Sequence, residues 1–330
     1  MMKLTLEQYI RNQQSADASG RFTSIMTDVT LTCRMIASLL RSGSLNNNNQ
    51  MTKEATKNLS GDEQAPLDIQ ANNLFLSLFE NNRHIAAIVS EELDEIHYYE
   101  SHTEAQYFLV IDPLDGSGNL DINAPVATIF SLAKCRTHRP NIDEVLEEAR
   151  RPIAAGICCY GLNTTLAITT GNGVHGFSQD LESGTFFYTH PNMEIKPIAK
   201  EVAINFSNRN FWNKAVLRYV DECFMGVQGP RNRYFNTRWY ASAAAELNRI
   251  LVRGGIFIYP ACSNGKPQGV LRKLYEAWPM AYLVEQANGL ATDGLSRILD
   301  MPAKSLHEKT PFAMGTKEEV EILSKYHKEI

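Results

Sequence analysis

Two short apolar runs, each ending in acidic residues, constrain this chain more than any other feature. His84-Ile85-Ala86-Ala87-Ile88-Val89 leads into Ser90-Glu91-Glu92, and Tyr107-Phe108-Leu109-Val110-Ile111 leads into Asp112-Pro113-Leu114-Asp115-Gly116-Ser117-Gly118-Asn119. Their length and β-branched content predict buried strands. In open α/β sheets, ligands gather beyond the carboxyl ends of strands, so two neighbouring strands would bring Glu91, Glu92, Asp112 and Asp115 to one mouth. Carboxylates gathered in a low-dielectric site repel one another unless cations neutralise them. A set of oxygen donors favours a hard ion such as magnesium or manganese. Pro113 supplies no backbone donor and Gly116 permits a sharp turn. The amides of Gly116, Ser117, Gly118 and Asn119 are therefore expected to face a phosphate. Cations beside phosphate donors make a phosphoryl-transfer site. Taken singly, either cluster reads equally well as an acid-rich surface loop.

The remaining sequence alternates helix and strand. Apolar residues at Phe22, Ile25, Met26, Val29, Leu31, Met35, Ile36 and Leu39 follow a 3.6-residue period and predict a helix over 21–40. The polar stretch from Asn46 to Gln64 has almost no apolar content and is expected to be a mobile loop. A helix is expected over 67–80, and strands joined by Gly- and Asn-bearing turns over 154–188. Helices are expected near 212–225, 240–253, 279–287 and 317–327, with a strand at Ile256–Tyr259 set among them. A boundary near residue 193 would separate two domains, 1–193 and 194–330, which suits a chain of 330 residues.

Composition excludes several classes. A net charge of -5 offers no general attraction to nucleic acid or to an anionic membrane, so an anionic substrate needs a local site. No apolar run reaches the roughly 18 residues that span a bilayer, and the first residues lack a signal peptide's apolar stretch. The six cysteines show no Cys-x-x-Cys spacing and read as buried hydrophobes of a cytoplasmic protein. Gly171-Asn172-Gly173-Val174-His175-Gly176 matches a dinucleotide fingerprint, but the extended residues after it make Gly171–Gly173 a hairpin turn instead. Asp112 to Asn123 fails as a calcium loop, because Leu114, Gly116 and Asn123 occupy ligand positions.

Asp112-Pro113-Leu114-Asp115-Gly116-Ser117 with Asn119, preceded by Ser90-Glu91-Glu92, resembles the signature of the class I fructose-1,6-bisphosphatases. Leu271-Arg272-Lys273-Leu274-Tyr275-Glu276-Ala277 with Pro279-Met280 resembles that family's C-terminal signature. Thr128-Ile129-Phe130, Ala154-Ala155-Gly156, Gly254-Gly255-Ile256-Phe257 and Ile298-Leu299-Asp300 are further similar stretches. The resemblance implies a layered α-β-α-β-α sugar phosphatase fold of two domains, an N-terminal regulatory-type domain and a C-terminal sugar-phosphate-binding domain. It also implies a homotetramer and magnesium-dependent hydrolysis of the 1-phosphate of fructose 1,6-bisphosphate, serving gluconeogenesis or carbon fixation.

Residue by residue, the resemblance assigns the metal ions to Glu91, Asp112, Asp115 and Glu276, with the carbonyl of Leu114. It places Glu92 near the attacking water, Asp68 as an acid that helps activate it, and Asp62 on a loop that closes over the metals. Asp68 also reads as a helix N-cap. Asp115, Gly116, Ser117 and Gly118 are expected around the phosphate that is removed. Asn205, Arg238 and Tyr259 fall on positions for the sugar and its 6-phosphate, with Arg238 reaching a neighbouring subunit's site. Three departures stand out. Gly118 replaces the usual second serine, and Ala65-Pro66 replaces two lysines. Val270 replaces a phosphate-binding lysine, for which Lys266 is the candidate substitute. In the family's AMP site, Gly20, Thr23 and Tyr107 are kept, while Gln106 replaces a lysine and Lys134 an arginine, so weak AMP inhibition is expected. A related bisphosphatase, such as one acting on sedoheptulose 1,7-bisphosphate, and a non-catalytic sugar-phosphate sensor are the alternatives.

Overall fold

The computed structural model describes residues 4–14, 18–42, 56–57, 63–64 and 66–330. Helix α1 (Leu6–Gln13) starts at a capping box in which Thr5 Oγ1 accepts from the Gln8 amide at 3.3 Å and Gln8 Oε1 accepts from the Thr5 amide at 3.0 Å. Helix α2 (Arg21–Ser42) buries Ile25, Met26, Val29 and Ile36 of the expected apolar stripe, together with Cys33, whereas Met35 is exposed. A two-residue pair, β1 (Thr56–Lys57) with β2 (Glu63–Gln64), precedes α3 (Pro66–Phe79). Most of the 46–64 stretch, including Asp62, lies outside the described residues.

Eight strands then form one sheet: β3 (Ile85–Ser90), β4 (His97–Tyr98), β5 (Tyr107–Asp115), β6 (Val126–Lys134) and, after α4 (Ile142–Ala149), β7 (Ala154–Tyr160), β8 (Thr164–Thr169), β9 (Val174–Gln179) and β10 (Phe186–Met193). Their order is β10-β9-β8-β7-β6-β5-β3-β4, and within it only β3 and β5 pair in parallel. Parallel pairing puts the carboxyl ends of these two strands side by side, as the acid-ending runs require. Gly171 and Gly173, both at positive φ, lie in the turn between antiparallel β8 and β9, so that motif is a hairpin.

A five-stranded sheet follows, ordered β12-β11-β13-β17-β15. Its elements in chain order are β11 (Glu201–Ile204), α5 (Lys214–Phe224), β12 (Asn236–Thr237), α6 (Ala243–Arg253), β13 (Ile256–Tyr259), β14 (Leu271–Arg272), α7 (Trp278–Gln286), β15 (Leu290–Thr292), β16 (Lys309–Thr310), β17 (Phe312–Gly315) and α8 (Lys317–Lys328). Strands β14 and β16 pair separately.

Alternate residues of β5 and β13 supply opposite cores, as the period of two demands. Phe108 and Val110 face α6 and α7, whereas Leu109 and Ile111 face α1, α2 and α3. Phe257 joins the α6–α7 core, while Ile256 and Ile258 pack with Val216, Tyr219 and Val220 of α5 and Val320 and Leu323 of α8. The layers are therefore α, β, α, β, α, as the resemblance implied. No described helix is long and apolar enough to cross a membrane. All six cysteines are free thiols, five of them buried and Cys135 half-buried.

The outer α layer hides one charged knot. Glu319, fully buried in the first turn of α8, accepts from the hydroxyl of Tyr219 at 2.6 Å and from Arg231, whose side chain is buried too.

Candidate functional site

The acids do not lie just past the second strand, as the sequence suggested, but inside it: β5 runs on through Asp112 to Asp115. Pro113 is tolerated there because a bulge interrupts the pairing with β6 between Asp112 and Asp115. Asp112 Oδ1 accepts from the Leu114 amide at 3.0 Å, which folds the bulge onto its own carboxylate. Glu91 extends the parallel ladder, its amide donating to the Ile111 carbonyl at 3.0 Å, and the chain then turns. Glu91 and Glu92 thus occupy the turn just beyond the end of β3.

Glu276 arrives from far along the sequence, on a π-helical turn (Lys273–Ala277) that precedes α7. Such wide turns inside helices are frequent at functional sites. One oxygen each from Asp112, Asp115 and Glu276 lies within 4.8 Å of the others, and all three residues are buried. Arg272 donates to Glu91, and its backbone amide donates to Glu276 Oε2 at 2.6 Å. The Arg272 guanidinium also lies 4.0 Å from Glu276. It is the cation that partly balances the cluster, and sequence reasoning missed that role although the residue stands in a quoted motif.

Asp115 connects the two halves of the chain. Its Oδ2 accepts from the Ser242 hydroxyl at 2.6 Å and from the Ala244 amide at 2.8 Å, so it caps the start of α6. Gly116 adopts φ +82° beside it, and a Cβ there would fall 2.5 Å from Cβ of Ser242. Only glycine fits this contact. Ser117–Asn119 form a 3₁₀ turn whose first amides have no partner within the turn, leaving Ser117 and Gly118 as donors. Asn119 is a correction: its amide donates to the Gly116 carbonyl at 2.8 Å, and its side chain donates to the carbonyls of Pro125 and Tyr240. It therefore builds the turn instead of facing a ligand. A serine just ahead of an alanine-rich run was the available signal for the Ser242 cap.

Electrostatics agree with a cation site. Burial, followed by Glu91, Asp115 and Glu276, pushes the Asp112 carboxyl well above the usual range. Burial and then Glu91 do the same for Glu276. Asp115 is pushed up to about 6, chiefly by burial, against the opposing pull of Ser242 and the Ala244 amide. Oxygen-only donors, crowded and short of positive charge, fit a hard divalent cation. Protons compete with that cation for the same oxygens. Its affinity is therefore expected to rise by about tenfold or more between about pH 5.5 and 7.5 in calorimetric titrations, with proton release. In the cation-free protein, carboxyls raised in this way favour folding at acid pH, and that contribution disappears as pH climbs through about 6. A flat affinity across this window would contradict the assignment of the donors.

The other expected residues lie as follows. Asp68 is buried in the first turn of α3, as its third residue and not its N-cap. The half-buried phenol of Tyr259, at the end of β13, is raised by burial and then by Glu276, Cys262 and Asp115. Trp239 stands edge-on to it at 5.8 Å. Asn205 Oδ1 accepts from the amide and hydroxyl of Ser207, at 3.1 and 2.6 Å, and so caps a 3₁₀ turn. Arg238 Nε donates to Glu201 at 2.9 Å, and Arg249 and Arg253 bind the same carboxylate. Lys266 is exposed on a tight turn bridged to Cys262, and Val270 is half-buried just ahead of β14.

A buried oxygen cluster beside a glycine-led amide turn is the arrangement that a cation-assisted phosphoester site requires. The comparisons agree. The model of the fructose-1,6-bisphosphatase N-terminal domain matches residues 4–191, and that of the C-terminal domain matches 195–328. A class 1 fructose-1,6-bisphosphatase of Methylacidiphilum infernorum is 42% identical over 98% of this chain and 92% of its own length. Another, from Methylobacillus flagellatus, is 40% identical over 99% of this chain and 98% of its own. The holo form of Leishmania major fructose-1,6-bisphosphatase superposes with a TM-score of 0.91 at 31% identity, covering 98% of this chain and 99% of that one. The chain belongs to the fructose-1,6-bisphosphatase family.

Proposed function

We propose that this protein hydrolyses the 1-phosphate ester of fructose 1,6-bisphosphate, giving fructose 6-phosphate and phosphate, with magnesium or manganese held by Asp112, Asp115, Glu276, Glu91 and the Leu114 carbonyl. The single observation that carries the reading is the convergence of Asp112, Asp115 and Glu276 beside the Gly116–Gly118 turn. A bound divalent cation supplies Lewis-acid stabilisation of charge on the phosphoryl and leaving oxygens. The amides of Ser117 and Gly118 hold the phosphate, and Glu92, in the turn after β3, orients the attacking water. Asp68 assists in taking up its proton, and Asp62 acts with them. Phosphate release from a panel of sugar bisphosphates tests the reading. Turnover that is fastest on fructose 1,6-bisphosphate and abolished by a chelator is expected. Faster turnover of sedoheptulose 1,7-bisphosphate would reassign the substrate.

Asn205, Tyr259, Lys266 and, across a homotetramer interface, Arg238 receive the sugar and its distal phosphate. Arg238 is already engaged with Glu201, so its reach to a partner's site requires exchange of that ion pair. Valine at 270 cannot donate to a phosphate. A charge-assisted hydrogen bond contributes about 1.5 to 3 kcal/mol, so Val270→Lys is expected to lower KM by about tenfold with little effect on kcat. Lys266→Ala is expected to raise KM. If neither variant moves KM by more than about twofold, position 270 does not face the phosphate.

AMP regulation is expected to be weak. Arg21, between Gly20 and Thr23, donates to Gln106 and so is tied to the residue that replaces a lysine. Lys134 and Tyr107 line the neighbouring cleft. Half-inhibition by AMP is expected well above micromolar concentration in steady-state assays, and submicromolar inhibition would contradict this.

A further inference from the structure

The bulge that separates Asp112 from Asp115 has its own support. Asp112 stands opposite Ile129 and Asp115 opposite Ala127, so Pro113 and Leu114 together face the single residue Thr128 of β6. Thr128 is fully buried, and its hydroxyl lies 2.8 Å from the Pro113 carbonyl and 2.7 Å from the hydroxyl of Tyr160 on β7. Counting protons fixes the direction of both bonds. A carbonyl only accepts, so the one Thr128 proton points at Pro113, and Tyr160 must donate to Thr128 Oγ1. Burial, then Cys158 and Cys33, pushes the Tyr160 phenol well up and keeps it a donor.

We propose that Thr128 and Tyr160 are positioning residues for the cation site. Their relay from β7 through β6 clamps the Pro113 carbonyl and so fixes the bulge that sets the spacing of the Asp112 and Asp115 carboxylates. Neither side chain is among the candidate donors. Both act through the backbone between two of those donors, in the way outer partners tune a metal site. The proposal rests on the reading of Asp112, Asp115 and Glu276 as a divalent-cation site.

Thr128→Val keeps the shape of the side chain and suits a strand, but removes the donor. In the full-length protein, Mn²⁺ binding followed by electron paramagnetic resonance is expected to weaken by about ten- to a hundredfold in Thr128→Val. Thr128→Ser, which restores the hydroxyl, is expected to bind within about threefold of the parent. Tyr160→Phe leaves Thr128 able to reach Pro113 but without the donor that orients it, so an intermediate loss of about three- to tenfold is expected. The concentration of Mg²⁺ giving half-maximal activity should move in parallel, while KM for substrate stays nearly fixed. A lower melting temperature with unaltered Mn²⁺ affinity in Thr128→Val marks a merely structural role and overturns the proposal. So does failure of Thr128→Ser to restore binding. Should Thr128→Val not fold, Tyr160→Phe decides: unaltered affinity overturns the proposal and weakened affinity supports it. A parent protein that binds no Mn²⁺ would instead overturn the cation-site reading itself.

Discussion

Asp115→Ala is expected to lower turnover of fructose 1,6-bisphosphate by about a thousandfold or more, measured as phosphate release at saturating magnesium. The size of the effect follows from three roles in one side chain. Asp115 is one of the three clustered oxygen donors, it precedes the Gly116 turn, and it caps α6 through Ser242 and the Ala244 amide. Truncation therefore removes a donor and frees the junction between the eight-stranded sheet and α6. Asp115→Asn separates these effects. Its amide oxygen still accepts from Ser242 and Ala244, so the fold is kept, while the loss of charge weakens cation binding. Turnover of Asp115→Ala within about tenfold of the parent would show that the carboxylate is not part of the reacting centre.

Glu319→Ala is expected to destabilise the protein by about 3–5 kcal/mol, the cost of breaking a buried ion pair and leaving Arg231 uncompensated. Arg231 and Glu319 are both almost wholly excluded from solvent, and the Tyr219 hydroxyl relies on the same carboxylate at 2.6 Å. The knot ties α5 to α8 on the far side of the five-stranded sheet from α6 and α7. The urea midpoint should fall accordingly, with kcat of the folded protein unchanged. A loss under about 1 kcal/mol would mean that water reaches Arg231 once the carboxylate is gone.

Local pattern was enough wherever one rule dominated. The 21–40 period became α2 at Arg21–Ser42, and Ile256–Tyr259 became β13 with the same bounds. The glycine pair at 171 and 173 became a hairpin turn, since positive φ in a tight reversal favours glycine over side-chain-bearing residues. Four helices, α3, α5, α6 and α7, began a little earlier or later than expected, because caps such as Ser242 ahead of α6 fix the first turn and periodicity does not. Asp112 and Asp115 were legible as candidate site residues from type and spacing, and the structure brings them together with Glu276. Their position inside β5 was not, since a proline usually ends a strand and only the bulge opposite Thr128 keeps it there.

By itself the sequence determined many of the strands and helices, that the chain would be a layered α/β protein, and which acids would be candidates for its site. These follow from short-range periodicity and from residue types that few other roles require. Tertiary structure alone decided what surrounds each acid. It brought Glu276 to Asp112 on a π-helical turn, set Arg272 against Glu91, placed Ser242 on Asp115 and spent Asn119 on building the turn after Gly116. Those contacts join residues more than a hundred positions apart, with the exception of the short turn itself. No local pattern encodes them, because they exist only once two sheets have packed on the α6–α7 layer and excluded water from the groups between.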